Sequence, residues 1–187
     1  MSRICLIFVL LLTGCQLKPT LDDSWIALGE GYYQLTDAWP EPAQQLMQQV
    51  IWLDNAQQQQ FIISALLQPE AILLVAVSPL GQELWRLSYQ PEHQMTVSGI
   101  APFNQPAFAK VLLAQMQMAL LSEQQLQARL QHLRLQQDGN ERALYDNDGR
   151  LLLQISNAGQ LAAGEKIIIK APTYRLQIIT LQQDYLP

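Results

Sequence analysis

The residue types that most often carry chemistry are scarce in this 187-residue chain, which has two histidines, His93 and His132, and two cysteines, Cys5 and Cys15. A zinc or other transition-metal centre needs three or four nitrogen or thiolate ligands brought together, and this inventory does not supply them. His93 sits in a turn with Pro91 and Glu92, and His132 lies between Gln131 and Leu133 among Gln and Arg, so both read as solvated surface groups. The serines come without a G-x-S-x-G elbow, and no glycine-rich phosphate loop is present. The acidic pairs fall in tether or turn contexts: Asp22-Asp23 near the start, and Asp146-Asn147-Asp148 before Gly149. The latter lacks the bidentate Glu that closes an EF-hand loop at its twelfth position, which leaves it as a turn. No catalytic group, metal or cofactor is expected, and the chain is read as a non-enzyme.

The remaining chemistry belongs to the thiol of Cys15. Before it come Met1-Ser2-Arg3, the apolar run Ile4 to Leu12, and Thr13-Gly14: a basic start, a short hydrophobic region and a small-residue processing site. The run is shorter than the roughly 20 apolar residues that span a bilayer as a helix, so its expected role is export. Leu12-Thr13-Gly14-Cys15 resembles the lipobox of bacterial lipoproteins. That resemblance implies cleavage before Cys15, diacylglyceryl attachment to its thiol and palmitate-type acylation of the freed amine. Two or more acyl chains anchor a protein durably where one does not. In such lipoproteins an aspartate after the cysteine causes retention on the inner membrane; Gln16 therefore implies the outer membrane, facing the periplasm. The expected organisation is a signal peptide over residues 1–14, a lipidated tether over 15–24 and one domain over 25–187.

Loss of residues 1–14 would remove Arg3 and make the formal charge one unit more negative than the −5 of the full chain. Dispersed Lys and Arg on an acidic chain do not build the concentrated basic face that phosphate backbones require, so nucleic acid is excluded as a partner. With Cys5 removed and Cys15 lipidated, no thiol pair remains to form a disulfide. A domain of this length buries enough surface to fold without one.

The elements that must hold any site are legible as short apolar runs between turn signals. Gln48–Leu53, Gln60–Leu67, Ala71–Val77, Gln82–Tyr89 and Gln94–Ser98 form an antiparallel meander, punctuated by Asp54-Asn55, Pro69-Glu70, Ser78-Pro79-Leu80-Gly81 and Pro91-Glu92. Ala71–Val77 is apolar on both faces, which predicts a central strand covered on each side. A helix is predicted from Asn104-Gln105-Pro106, with Phe108, Leu112, Met116 and Leu120 on one stripe. A second helix begins at Ser122, which forms an S-x-x-Q capping box with Gln125, and continues through Leu126, Leu130 and Leu133. Strands then resume at Ala143–Tyr145, Leu151–Ile155, Lys166–Lys170 and Tyr174–Leu181, with Pro172 either kinking one edge strand or separating two. Strands, a helical pair and more strands make an α+β fold.

Gln57–Ser98, with its Ser78-Pro79-Leu80-Gly81 turn, resembles the same region of the LolB family of outer-membrane lipoprotein receptors, and Gly164–Lys170 is similar to the closing strand of that family. Leu113–Leu121 and Arg142-Ala143-Leu144 look closer to small LolB-like lipoproteins of undefined function found beside aryl-polyene genes. The resemblance implies a curved, incomplete antiparallel β-barrel with an αα-hairpin covering its mouth, and an apolar cavity that accepts acyl chains. It further implies lipid, acyl-chain or lipoprotein cargo, handed over by a periplasmic LolA-like carrier and passed to the membrane. On that reading Phe61, Ile63, Trp85, Leu87 and Met116 line the cavity, and Leu80 is the apolar tip that touches the bilayer. A type I turn places Leu80 at an exposed position, consistent with that role. The alternative is a non-catalytic scaffold or assembly lipoprotein of the envelope with a solid core.

Overall fold

The computed structural model describes residues 24–54, 57–92, 94–101 and 105–187. Cys15, the signal region, residues 15–23 of the tether and His93 lie outside the described residues.

The described residues open with a hairpin of β1 (Trp25–Leu28) and β2 (Gly31–Gln34), then run through the meander β3 (Gln44–Asp54), β4 (Gln57–Gln68), β5 (Ala71–Val77), β6 (Glu83–Gln90) and β7 (Gln94–Gly99). Helices α1 (Pro106–Leu120) and α2 (Glu123–Gln127) follow. The remainder is β8 (Leu130–Gln131), β9 (Leu133–Asp138), β10 (Glu141–Asp146), β11 (Leu151–Ser156), β12 (Lys166–Lys170) and β13 (Tyr174–Tyr185). Ten strands form one antiparallel sheet in the order β7-β6-β5-β4-β3-β13-β12-β11-β10-β9, and β1, β2 and β8 form a second, small sheet. The ends of the large sheet, β7 and β9, do not pair, so the barrel is incomplete.

The curvature follows from what α1 touches. Phe108 near its start meets Trp85 of β6, and the Met118 carbonyl near its end accepts from Arg142 Nη1 of β10 at 2.6 Å. Those strands stand seven positions apart, roughly 34 Å in a flat sheet at ~4.8 Å per strand. A 15-residue helix is only about 22 Å long. The sheet must therefore wrap around α1, which fills its concave face.

The wrapping explains the burial pattern of the strands. In β4, Phe61, Ile63, Ala65 and Leu67 are buried while Ile62, Ser64 and Leu66 between them are half-buried, the period of two expected of a sheet with one face on the core. The expectation that Ala71–Val77 is covered on both faces does not hold. Ile72, Leu74 and Ala76 are buried on the concave side, but Ala71, Leu73, Val75 and Val77 face outward half-buried. Among the described residues no second helical layer covers that face.

Helix α1 starts with Pro106 at its first turn and no side-chain cap from Gln105. Its second half is buried on almost every side because the small sheet covers the face turned away from the large one. Gln117 is the polar lock between them: its Oε1 accepts from Tyr33 Oη and from the Thr36 backbone N–H, each at 3.0 Å, and its Nε2 donates to the Thr36 carbonyl at 2.7 Å. Burial pushes the Tyr33 phenol far above its usual range.

The second helix departs from expectation. The capping box forms, with Ser122 Oγ accepting from Gln125 N and Gln125 Oε1 accepting from Ser122 N, but α2 ends after five residues. Beyond it β8 pairs with β2, and His132 turns the chain with φ 57°. Leu133 and Leu135 then alternate inward on β9, paired in register with β10. Leu126, Leu130 and Leu133 fit a helical stripe, yet the edge of the large sheet offers that segment a full ladder of backbone bonds. Pro172 proves to separate two strands, β12 and β13, and neither is an edge.

Candidate functional site

Antiparallel register brings several connections to one end of the large sheet. Trp85 pairs with Gly99 and with Ala76, and Tyr174 pairs with Asp54. The β3–β4, β5–β6 and β12–β13 turns, and the approach to α1, therefore share that end, which forms the mouth of the half-barrel. The Ser78–Gly81 turn projects there. Gly81 N donates to the Ser78 carbonyl at 2.9 Å, and Ser78 Oγ accepts from Leu80 N and Gln82 N at 3.3 and 3.2 Å. Gly81 adopts φ +84°, a left-handed conformation that glycine adopts without a Cβ penalty. The result is a Leu80 side chain that is 96% exposed at the tip.

Inside the mouth lies an aromatic cluster. Trp52 stacks on Tyr174 at 4.5 Å between ring centroids, and Phe108 tilts against Trp52 at 5.5 Å. Phe108 also stands edge-on to Phe61 and to Trp85, each at 6.4 Å. Trp52 and Phe108 are half-buried, while Phe61 and Trp85 beneath them are sealed. Aromatic pairs of this kind add about 0.5–1.5 kcal/mol beyond area burial, so Phe108 is the piece of α1 that closes the mouth. Phe61, Ile63, Trp85, Leu87 and Met116 all belong to the single core cluster, and each is buried to 4% exposure or less. Trp85 and Phe61 meet at Phe108. Leu87 lies deeper along β6, paired with Leu74, and Met116 lies on the following turns of α1.

Sequence reasoning missed Trp52, Phe108, Tyr174 and Gln115 as parts of one constellation. Phe108, Leu112 and Gln115 recur at i, i+4 and i+7, a stripe facing the large sheet. Gln115 Nε2 donates to Tyr174 Oη at 2.6 Å. The Tyr174 phenol is pushed up to about 12 by burial, partly offset by that hydrogen bond. The period on α1 was available in the sequence; its meeting with β13 was not.

A small, partly open void of about 10 Å³ lies elsewhere, lined by Met118, Leu126, Leu135, Leu144, Leu153 and Ile155 together with Arg142. It holds no more than one water-sized probe. Among the described residues no group of three or more His, Cys, Asp or Glu side chains is placed to hold a metal ion. No helix among them is long and apolar enough to cross a membrane.

Residues 45–182 match the model of a family described as a protein of unknown function, DUF3261. No curated protein matches the chain. Two solved structures are similar in part. One is a LolA superfamily protein from Nitrosomonas europaea, with a TM-score of 0.43 and 9% identity, covering 80% of this chain and 89% of that one. The other is a candidate outer membrane lipoprotein-sorting protein domain from Vibrio parahaemolyticus, with a TM-score of 0.36 and 11% identity, covering 77% and 85%.

Proposed function

The chain belongs to the DUF3261 family, and from the geometry of its mouth we propose that it is a non-enzymatic envelope lipoprotein that binds acyl chains or lipidated cargo beneath α1 and passes them to the membrane. The observation that carries this reading is the placement of an exposed leucine tip and an aromatic-lined mouth at the same end of the half-barrel. A solvated apolar tip costs free energy unless it meets an apolar phase, and each methylene taken from water gains about 0.8 kcal/mol. The lipobox-like Leu12-Thr13-Gly14-Cys15 supports Cys15 as the lipidated anchor holding the mouth near the bilayer, and Gln16 after it supports the outer membrane.

In this reading Phe61, Ile63, Trp85, Leu87 and Met116 form the floor of the acyl site. Ligand sites for molecules of this size occupy roughly 300–1,000 Å³, and the floor is packed against α1, so cargo enters as Phe108 and α1 lift from Trp52 and Trp85. The hinge side is the Gln117 lock, which stays closed. The delivering partner is a soluble periplasmic carrier of similar fold.

The test is uptake of a fluorescent acyl probe by the full chain carrying Cys15→Ser, followed by energy transfer from Trp52 and Trp85. Saturable uptake is expected; its absence at micromolar protein and probe would overturn the carrier reading. A second reading, a scaffold lipoprotein with a solid core, is favoured by the packing of α1 against the concave face, and it predicts no uptake.

A further inference from the structure

Three buried side-chain polar atoms among the described residues have no hydrogen-bond partner: Trp39 Nε1, Trp85 Nε1 and Gln115 Oε1. An unpaired polar atom in the interior carries a desolvation cost that folding alone does not recover, and it calls for an explanation. Two of the three face the α1–sheet seam. Trp85 lies edge-on to Phe108 at 6.4 Å, and Gln115 is 1% exposed on the same sheet-facing stripe of α1 as Phe108.

The Gln115 amide is half satisfied. Its Nε2 donates to Tyr174 Oη at 2.6 Å, which leaves Oε1 as an open acceptor and the Tyr174 hydroxyl free to donate its own proton. Rotating the amide by 180° would turn Oε1 toward the Tyr174 hydroxyl and leave Nε2 as an open donor, which an acceptor-only head such as a carboxylate would fill; the competitors named below separate the two orientations. Tyr174 in turn stacks on Trp52, which touches Phe108. The open polar positions thus lie directly behind the aromatic mouth, where a chain entering under Phe108 would carry its head or its first linkage.

We infer that Gln115 and Tyr174 form a polar anchor within the acyl site, one that recognises a neutral primary-amide head on the incoming chain. This inference rests on the acyl-binding reading. An amide supplies the needed pair: its N–H donates to Gln115 Oε1, and its carbonyl accepts from the Tyr174 hydroxyl. An ionised carboxylate does not, because it brings acceptors only and a charge. Among the described residues no cation is hydrogen-bonded to either side chain, and burial and the Gln115 bond are what shift the Tyr174 phenol. A bare hydrocarbon leaves both polar positions unpaired. Cargo is therefore selected as an acyl chain whose neutral head offers a donor and an acceptor on one side, as a primary amide does.

The test uses the full chain with Cys15→Ser and displacement of a fluorescent acyl probe by hexadecanamide, ionised hexadecanoate and a headless sixteen-carbon hydrocarbon. Hexadecanamide is expected to bind about tenfold or more tighter than either competitor, as one buried, well-made polar contact allows. Gln115→Leu should abolish that preference, and its melting temperature should fall by no more than about 4 °C, since only the bond to Tyr174 Oη is lost and the unpaired buried acceptor is removed with it. Tyr174→Phe provides a second variant that keeps the ring stack and removes only the hydroxyl; it should weaken the amide selectively. Equal binding of all three ligands, tighter binding of hexadecanoate, or an undiminished amide preference in both variants would overturn the anchor and leave the acyl site standing. Failure of the parent chain to bind any of them would overturn the acyl-binding reading with it.

Discussion

Replacing Gln117 by Leu tests whether α1 is fastened to the small sheet by the polar lock described above. The side chain is fully buried, so the substitution removes three hydrogen bonds and strands three groups: Tyr33 Oη, the Thr36 N–H and the Thr36 carbonyl. Each stranded buried group costs roughly 1–3 kcal/mol. Thr36 retains 6% exposure and recovers some hydration, and the new leucine gains apolar burial, so the net loss is about 3 kcal/mol. In a chain of this size that corresponds to about 6–12 °C in melting temperature. Urea unfolding followed by circular dichroism measures the free energy, and a melting curve checks it. Tyr33→Phe is the control. It removes only one donor while the Thr36 pair with Gln117 persists, so its cost should be about 1 kcal/mol. Because burial holds the Tyr33 phenol far above its ordinary range, the deficit of either variant should not change between neutral pH and moderately alkaline pH. A Gln117→Leu chain within 1 kcal/mol of the parent would refute the lock and mean that apolar packing alone seats α1.

Three further outcomes follow from other parts of the molecule. Leu80→Glu should leave the unfolding midpoint unchanged, because the side chain is 96% exposed, while transfer of bound probe to lipid vesicles should slow; unchanged transfer would remove the tip from the delivery step. Gly99→Ala should cost about 2–4 kcal/mol in urea unfolding, since φ is +148° and a Cβ would meet the Leu84 carbonyl and lie 2.6 Å from Trp85 Cα; a neutral result would show that β7 peels from β6 at no cost. The Asp146 carboxyl is pushed up by burial, but the Arg150 backbone N–H, side chain and charge, with the Asp148 backbone N–H, pull it below its ordinary 3.8 overall. A depressed folded value stabilises above the unfolded one and is lost as pH falls through it. Asp146→Asn should therefore be less stable than the parent at pH 7 and converge with it as pH falls below about 3.8, which flattens the acid limb of the stability profile; an unchanged acid limb would refute the assignment.

Local pattern made much of this fold legible. The strands from Gln48 to Ser98, the Pro106 start of α1, the Ser122 capping box and the turn at Asp146–Gly149 are set by alternation, capping chemistry and glycine, all of which act within a few residues. Leu80 at a turn tip follows from the Ser-Pro-Leu-Gly order for the same reason. A signal was also overlooked. Asp138-Gly139, with Gly139 at φ 56°, is a hairpin turn that joins β9 to β10. It would have marked the residues before it as a strand and so claimed Leu133, whose spacing from Leu126 and Leu130 fits a helix but whose alternation with Leu135 fits a strand.

What the sequence by itself determined, then, is the set of short-range choices: which segments are extended, where the helix begins and where the chain turns. Only the tertiary structure decided that β13 returns to pair with β3 along nearly its whole length, from Tyr174 opposite Asp54 to Tyr185 opposite Gln44. That pairing brings together residues about 130 positions apart, and no local preference encodes it; it is selected because it alone gives both strands a complete ladder while turning Leu176 and Ile178 onto the core. The same closure sets Tyr174 against Trp52 and Gln115, so the aromatic mouth and its buried polar atoms exist only once the sheet has wrapped around α1.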